Sequence, residues 1–181
     1  MRIEVRNAQR RMRVSSRDVR NLLQRAHDEM RPGAAGHPTY RDRAELAVGI
    51  VSSRAMRRLN LAHTGRDDVT DVLAFDYGVE STPEEADPEE PPGGTGWSGE
   101  IVVCADRALE RACEFGNTPG RELAVYLVHG LLHLLGMDDH DPADRERMRR
   151  EESRLLDIAA RGMDLEAAFG ATSAGPKRSA P

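Results

Sequence analysis

A chain of 181 residues, 39% of them hydrophobic and 31% charged, can bury a sizeable core and is too apolar to remain unfolded. Its formal net charge of −5 is set by one segment: residues 80–90 hold six acids and no base, and the rest carries 26 basic against 25 acidic residues. No apolar stretch reaches the roughly 18 residues of a membrane span, and the longest, Leu123 to Leu135, is broken by two histidines and a glycine.

Ile3 to Val5 alternates as a short strand. Ser15 or Ser16 then caps a helix through Val19, Leu22, Leu23, Ala26 and Met30 that ends at Pro32. Residues 33–42 read as a loop, Ala44 to Val51 as a buried strand, and Ala55 to Ala62 as a helix capped by Ser52 or Ser53. Val72 to Tyr77 is the third expected strand. Residues 79–97, with the acids and four prolines, are expected to be a disordered acidic insertion rather than a domain boundary. Gly99 to Cys104 supplies a fourth strand, and Ala105 to Phe115 a helix closed by Gly116. Thr118-Pro119 opens the next helix, Arg121 to Leu135, which stops at Gly136. Pro142 to Ala160 is the last expected helix, and residues 170–181 a disordered tail. The sum is an α+β fold, a small four-stranded sheet packed with about five helices, in one domain spanning residues 1–169.

Seven arginines fall within the first twenty residues, a patch suited to phosphates. A second cluster, Arg145, Arg147, Arg149, Arg150 and Arg154, is interleaved with glutamates and reads as a solvated helix face. Neither Cys104 nor Cys113 lies in a CxxC, so two reduced, mostly buried thiols are expected. The arginine-rich N-terminus has no apolar run of the kind a signal peptide needs, which makes the cytoplasm the expected location.

Three of the six histidines fall within twelve residues, His129-Gly-Leu-Leu-His133-Leu-Leu-Gly-Met-Asp-Asp-His140. A spacing of four sets His129 and His133 about 40° apart on one helix face. Gly136 permits the left-handed residue that lets the chain reverse and bring His140 to the same point. Three imidazoles on one zinc ion leave a fourth position for water, the arrangement of a catalytic site. HExxH peptidases carry a glutamate after the first histidine; here that residue is Gly130. Asp138, Asp139 and Glu100 are the carboxylates considered as possible assistants.

At these residues the chain resembles the YbeY family of bacterial rRNA maturation factors, single-strand-specific endoribonucleases. The segment from His129 to His140 is similar to the family signature HGxLHLxGxDH with one residue added. Leu59-Asn60, Gly65, Asp67, Thr70-Asp71-Val72-Leu73-Ala74-Phe75, Gly99-Glu100-Ile101-Val102 and Arg121-Glu122-Leu123 extend the likeness over most of residues 1–160. The resemblance implies a mixed sheet with one zinc ion per chain on a central buried helix, in zincin-like fashion. It also implies single-stranded RNA as substrate, a part in 16S rRNA 3′-end maturation and ribosome quality control, and the small ribosomal subunit with its proteins as partners. DNA and membranes are not expected partners. The alternatives are a ribosome-assembly factor with a structural zinc, or another metal-dependent hydrolase.

Two departures bear on the site. Six residues separate His133 from His140 where the family has five, so strict counting sets Asp139 in the ligand position. His140 is the expected third ligand and Asp139 the alternative. The family arginine that follows Leu-Asn aligns with Thr64, which leaves Arg66 as the candidate phosphate-binding guanidinium.

Overall fold

The computed structural model describes residues 1–30, 43–79 and 96–172. Alternating side chains build its sheet. Strands β1 (Arg2–Asn7), β2 (Arg43–Val51), β3 (Val72–Val79) and β4 (Gly96–Cys104) lie in the order β1-β2-β4-β3. β1 and β4 each run parallel to β2, and β3 is antiparallel to β4, so the sheet is mixed. Leu46, Val48, Ile50, Ile101 and Val103 enter one large core on one face. Val102 and Cys104 turn to the other face and meet Met56 in a smaller cluster.

Two helices precede β3. The Ser15 hydroxyl accepts from the Asp18 amide to cap α1 (Ser16–Glu29), which buries Val19, Leu22, Leu23 and Ala26. This helix ends before Pro32, the expected stop, which lies outside the described residues. Ser52 caps α2 (Ser53–Thr64), and Gly65 closes it in the left-handed conformation. α2 covers the smaller cluster through Met56.

After β4 the chain is helical. α3 (Ala105–Phe115) leads to α4 (Pro119–Leu134), opened by Thr118 with Pro119 in the first turn. α4 is buried on nearly every side: Leu123, Ala124, Leu127, Leu131 and Leu132 are all inaccessible. It packs against β3 and β4, α1 and α3, and against α5 (Pro142–Ala159) and α6 (Leu165–Phe169). Each fully buried leucine contributes roughly 1.5–3 kcal/mol by leaving water, so α4 is the apolar axis of the molecule. Among the described residues no helix is long and apolar enough to cross a membrane.

Several boundaries differ from the sequence reading. β4 begins at Gly96 rather than Gly99, because Trp97 is 2% exposed and its indole N–H donates to Asp76 at 2.9 Å. Within the expected acidic insertion, residues 80–95 lie outside the described residues. α6 is a sixth helix, too short to signal itself; it delivers Phe169, fully buried, to the core. At the start of the expected tail the backbone is tied down. Arg13 donates to the Gly170 carbonyl and Thr172 to that of Arg11, each at 2.9 Å, and residues 173–181 lie outside the described residues. Both thiols are free, but Cys113 is exposed, on the outer side of α3, where burial was expected.

Gly130 decides how closely α4 approaches the sheet. A Cβ there would stand 2.7 Å from Ile101 Cγ2 and 3.1 Å from Val72 Cγ2, below ordinary contact. Alanine is the better helix former by about 1 kcal/mol, yet overpacking of this kind costs about 1–3 kcal/mol. Gly130→Ala is therefore expected to lower the unfolding free energy by about 1 kcal/mol or more in denaturant titration. In a double-mutant cycle Ile101→Ala should recover part of that loss, because it removes the clashing methyl. A gain in stability for Gly130→Ala alone would show that the helix can lift off the sheet at no cost.

Candidate metal centre

The end of α4 shapes the site. Gly136 adopts φ +85°, and the Gly136 and Met137 amides donate to the carbonyls of His133 and Leu132, each at 3.0 Å. The chain thus reverses beside the helix, as the sequence pattern requires. The Met137 carbonyl comes to lie 3.2 Å from His133 Nδ1. From α5, Glu152 Oε2 stands 3.1 Å from His129 Nδ1. Arg145 donates to the carbonyls of Asp139 (3.2 Å) and His140 (3.0 Å), which pins the returning segment to the first turns of α5.

These outer partners fix the tautomers. A carbonyl and a carboxylate can only accept, so each Nδ1 carries the hydrogen and each Nε2 presents its lone pair. The two Nε2 atoms face one another at 3.1 Å. Lone pairs so opposed repel unless a proton or a cation lies between them. A proton on His133 is disfavoured, since burial first, and then the neighbouring His129, hold its pKa below the ordinary histidine value. Two nitrogens bound tetrahedrally to one zinc stand about 3.3–3.4 Å apart, for bonds of about 2.0–2.1 Å. The donor set therefore fits a divalent ion.

Asp139 completes the group. One donor atom from each of His129, His133 and Asp139 lies within 4.8 Å of the others, and all three residues are half-buried. His140 is elsewhere: its side chain is 87% exposed and its Nδ1 bonds to the Asp138 carboxylate, which raises its pKa. The loop after Gly136 does not take up the added residue before the ligand position: Asp139, the residue that strict counting sets there, lies beside the histidine pair, and His140 does not. Asp138, Asp139 and His140 form a second possible group along the loop, and it shares Asp139 with the first.

The group opens into a cavity of about 650 Å³ between β3 and α4, with Arg66, Thr70 and Asp71 on its opposite wall. Arg66 lines it, 74% exposed, with its guanidinium 2.9 Å from Asp68. Thr64, where the family arginine would align, instead donates to Asn60 Oδ1 and to its carbonyl at 2.8 Å, closing α2. Glu100 is absent from this cavity. Its neighbour Ile101 faces α4, so Glu100 turns to the opposite face and accepts from the Tyr77 hydroxyl at 2.8 Å. Of the three carboxylates considered from sequence, only Asp139 faces the imidazoles.

Sequence reasoning passed over Glu152, Arg145 and Tyr126. The first two looked like members of a solvated charged face, and nothing local distinguishes them. A helical spacing of seven from Arg145 to Glu152 was the one available hint that both lie on a single face of α5. Tyr126, one turn before His129, lines the cavity; its hydroxyl is buried with no hydrogen-bond partner among the described residues, and burial raises its pKa so that it stays a neutral phenol.

The family model described as Endoribonuclease YbeY matches residues 4–160. A protein named Endoribonuclease YbeY from Anaeromyxobacter sp. (strain Fw109-5) is 41% identical over 112 residues, 62% of this chain and 53% of that protein. One of the same name from Halorhodospira halophila is 43% identical over 112 residues, 62% of this chain and 68% of that protein. The chain spans about half the length of the Anaeromyxobacter relatives, 53% and 54%. The solution structure of a Thermotoga maritima protein aligns with a TM-score of 0.55 at 24% identity, over 97% of this chain and 99% of that one, a likeness of fold. With a match running from β1 through the histidine helix to the end of α5, this chain belongs to the YbeY family.

Proposed function

We propose that the protein is a zinc-dependent endoribonuclease acting on single-stranded RNA. Its expected substrate is the 3′ end of small-subunit (16S) rRNA, in the cytoplasm, during ribosome maturation and quality control, with the small subunit and its proteins as partners. Residues 1–169 are read as a single hydrolase domain. The observation that carries this reading is the meeting of His129 Nε2, His133 Nε2 and an Asp139 oxygen at the wall of an arginine-edged cavity. The family model and the names of the relatives support RNA as the substrate class.

In this reading His129, His133 and Asp139 hold one zinc ion. Bound there, it supplies a Lewis acid for a phosphoryl oxygen and a water whose pKa falls towards 7. Glu152 and the Met137 carbonyl orient the two rings by accepting their Nδ1 hydrogens, which also makes each Nε2 a better donor. Arg66, released from Asp68, offers a planar fork to a phosphate entering the cavity. Gly130 disfavours a peptidase. The position that bears the glutamate base in HExxH enzymes faces Ile101 and Val72 here, and no side chain fits there.

Purified protein is expected to cleave single-stranded RNA, with His133→Ala slower by roughly a hundredfold or more; equal cutting by the two would remove the nuclease reading. Mass spectrometry of the native protein should find one zinc in the wild type and in His140→Ala, and a clear deficit in Asp139→Ala. The reverse pattern would return the third ligand to His140.

Glu152→Ala should weaken zinc affinity by about 10–100-fold, the usual effect of losing an outer-shell carboxylate, with Glu152→Gln in between. Acidity should act through His133. Its folded pKa is depressed, so the neutral, ligating ring is retained below the ordinary value of 6.5. The stability that neutral His133 contributes is fully present above about 6.5 and is lost as pH falls through the depressed folded value. In the metal-free protein the His133 ring resonances should therefore titrate at lower pH than those of an ordinary histidine.

A further inference from the structure

A second groove lies on the far side of the loop that walls the cavity. Residues 65–71 contribute to both: Arg66, Thr70 and Asp71 line the histidine cavity, whereas Asp67 and Val69 line a groove of about 400 Å³ on the outer face of α2. The groove's other wall is Arg54, Arg57, Arg58 and Leu61, spaced at i, i+3, i+4 and i+7, which is one stripe of the helix. Met56 and Asn60 lie on the buried side, so this stripe is not needed to hold α2 down.

The charges of this stripe are poorly compensated. Arg57 is held by Asp67 in a bidentate pair, with both bonds 2.6 Å. Arg54 and Arg58 have no carboxylate partner among the described residues, and like charges four residues apart disfavour the helix that carries them. Leu61, 48% exposed, adds an apolar side chain to the same groove at the end of the stripe. Guanidinium forks suit phosphates, and their planes, together with an apolar side chain, suit the faces of unstacked bases.

We propose that this groove is a second RNA subsite, holding backbone phosphates of the same single strand one or more nucleotides away from the bond at the histidine cavity. The strand passes over residues 65–71, with Arg66 on the cavity side and Arg54 and Arg58 on the other. The Arg57–Asp67 pair fixes the wall between them, and the guanidinium groups of Arg54 and Arg58, which have no carboxylate partner among the described residues, take the phosphates. The proposal rests on the endoribonuclease reading and adds to it a binding site that favours longer substrates.

Fluorescence anisotropy with single-stranded RNA of about 12 and about 4 nucleotides, without added metal, tests it on the full chain beside the Arg54→Gln/Arg58→Gln and Arg54→Glu/Arg58→Glu variants. Both positions are exposed, and unchanged circular dichroism will verify the fold. The glutamate variant should bind the longer RNA roughly tenfold more weakly, and the glutamine variant less so. The salt slope for the longer RNA should fall by about 1.4, the value for two phosphate contacts on a single strand. Affinity for the shorter RNA should not change. An equal loss for both lengths, or no loss for either, would overturn the second subsite while leaving the nuclease reading intact. Wild-type protein that binds neither RNA would overturn both. A polyglutamate peptide that occupies the groove while RNA does not compete would assign it to an acidic protein and overturn the proposal.

Discussion

Two imidazoles set at the end of a buried helix must each have the ring N–H satisfied and the other nitrogen employed, and this requirement organises the whole site. α4 lies among apolar neighbours, where an unpaired polar group costs several kcal/mol. His133 meets the need locally, through the chain reversal at Gly136 that brings the Met137 carbonyl to its Nδ1. His129 meets it at long range, through Glu152 on α5. Only when both Nδ1 atoms are fixed do the two Nε2 lone pairs converge on a common point.

The rest of the fold serves that convergence. Gly130 lets α4 sit against Ile101 and Val72, which brings the histidine face level with β3 and forms the cavity between them. Arg145 ties the carbonyls of Asp139 and His140 to α5, the helix that also carries Glu152. One helix thus holds both the returning loop and the outer partner of the first histidine. Across the cavity, Asn60 anchors the loop of residues 65–71 through the Asp68 carbonyl, so the wall that bears Arg66 is held from α2.

The order and kind of the main elements were legible because each carries its own local signal. Ser15, Ser52 and Thr118 cap helices where the pattern expects them, and Gly65, Gly116 and Gly136 take left-handed conformations at or just beyond helix ends. Strand ends were less legible. Trp97 looked like part of a polar segment, because its burial depends on Asp76 and on the helix packed above Gly99. α6 was missed since five residues contain too little periodicity, and its burial of Phe169 depends on Gly120 in a different element.

For the site itself, the sequence alone determined that His129 and His133 share a helix face and that the chain turns back at Gly136, because helical geometry and a left-handed glycine are local properties. It also determined family membership, through motifs read in order along the chain. Tertiary structure alone decided between Asp139, which lies beside the imidazoles, and His140, whose side chain is exposed, because Arg145 on α5 holds the carbonyls of both and so sets how the returning loop lies against the helix. It decided, too, that Glu100 lies on the far face of the sheet and that Glu152 reaches His129, because a carboxylate's role depends on what packs opposite it and not on its neighbours in the chain.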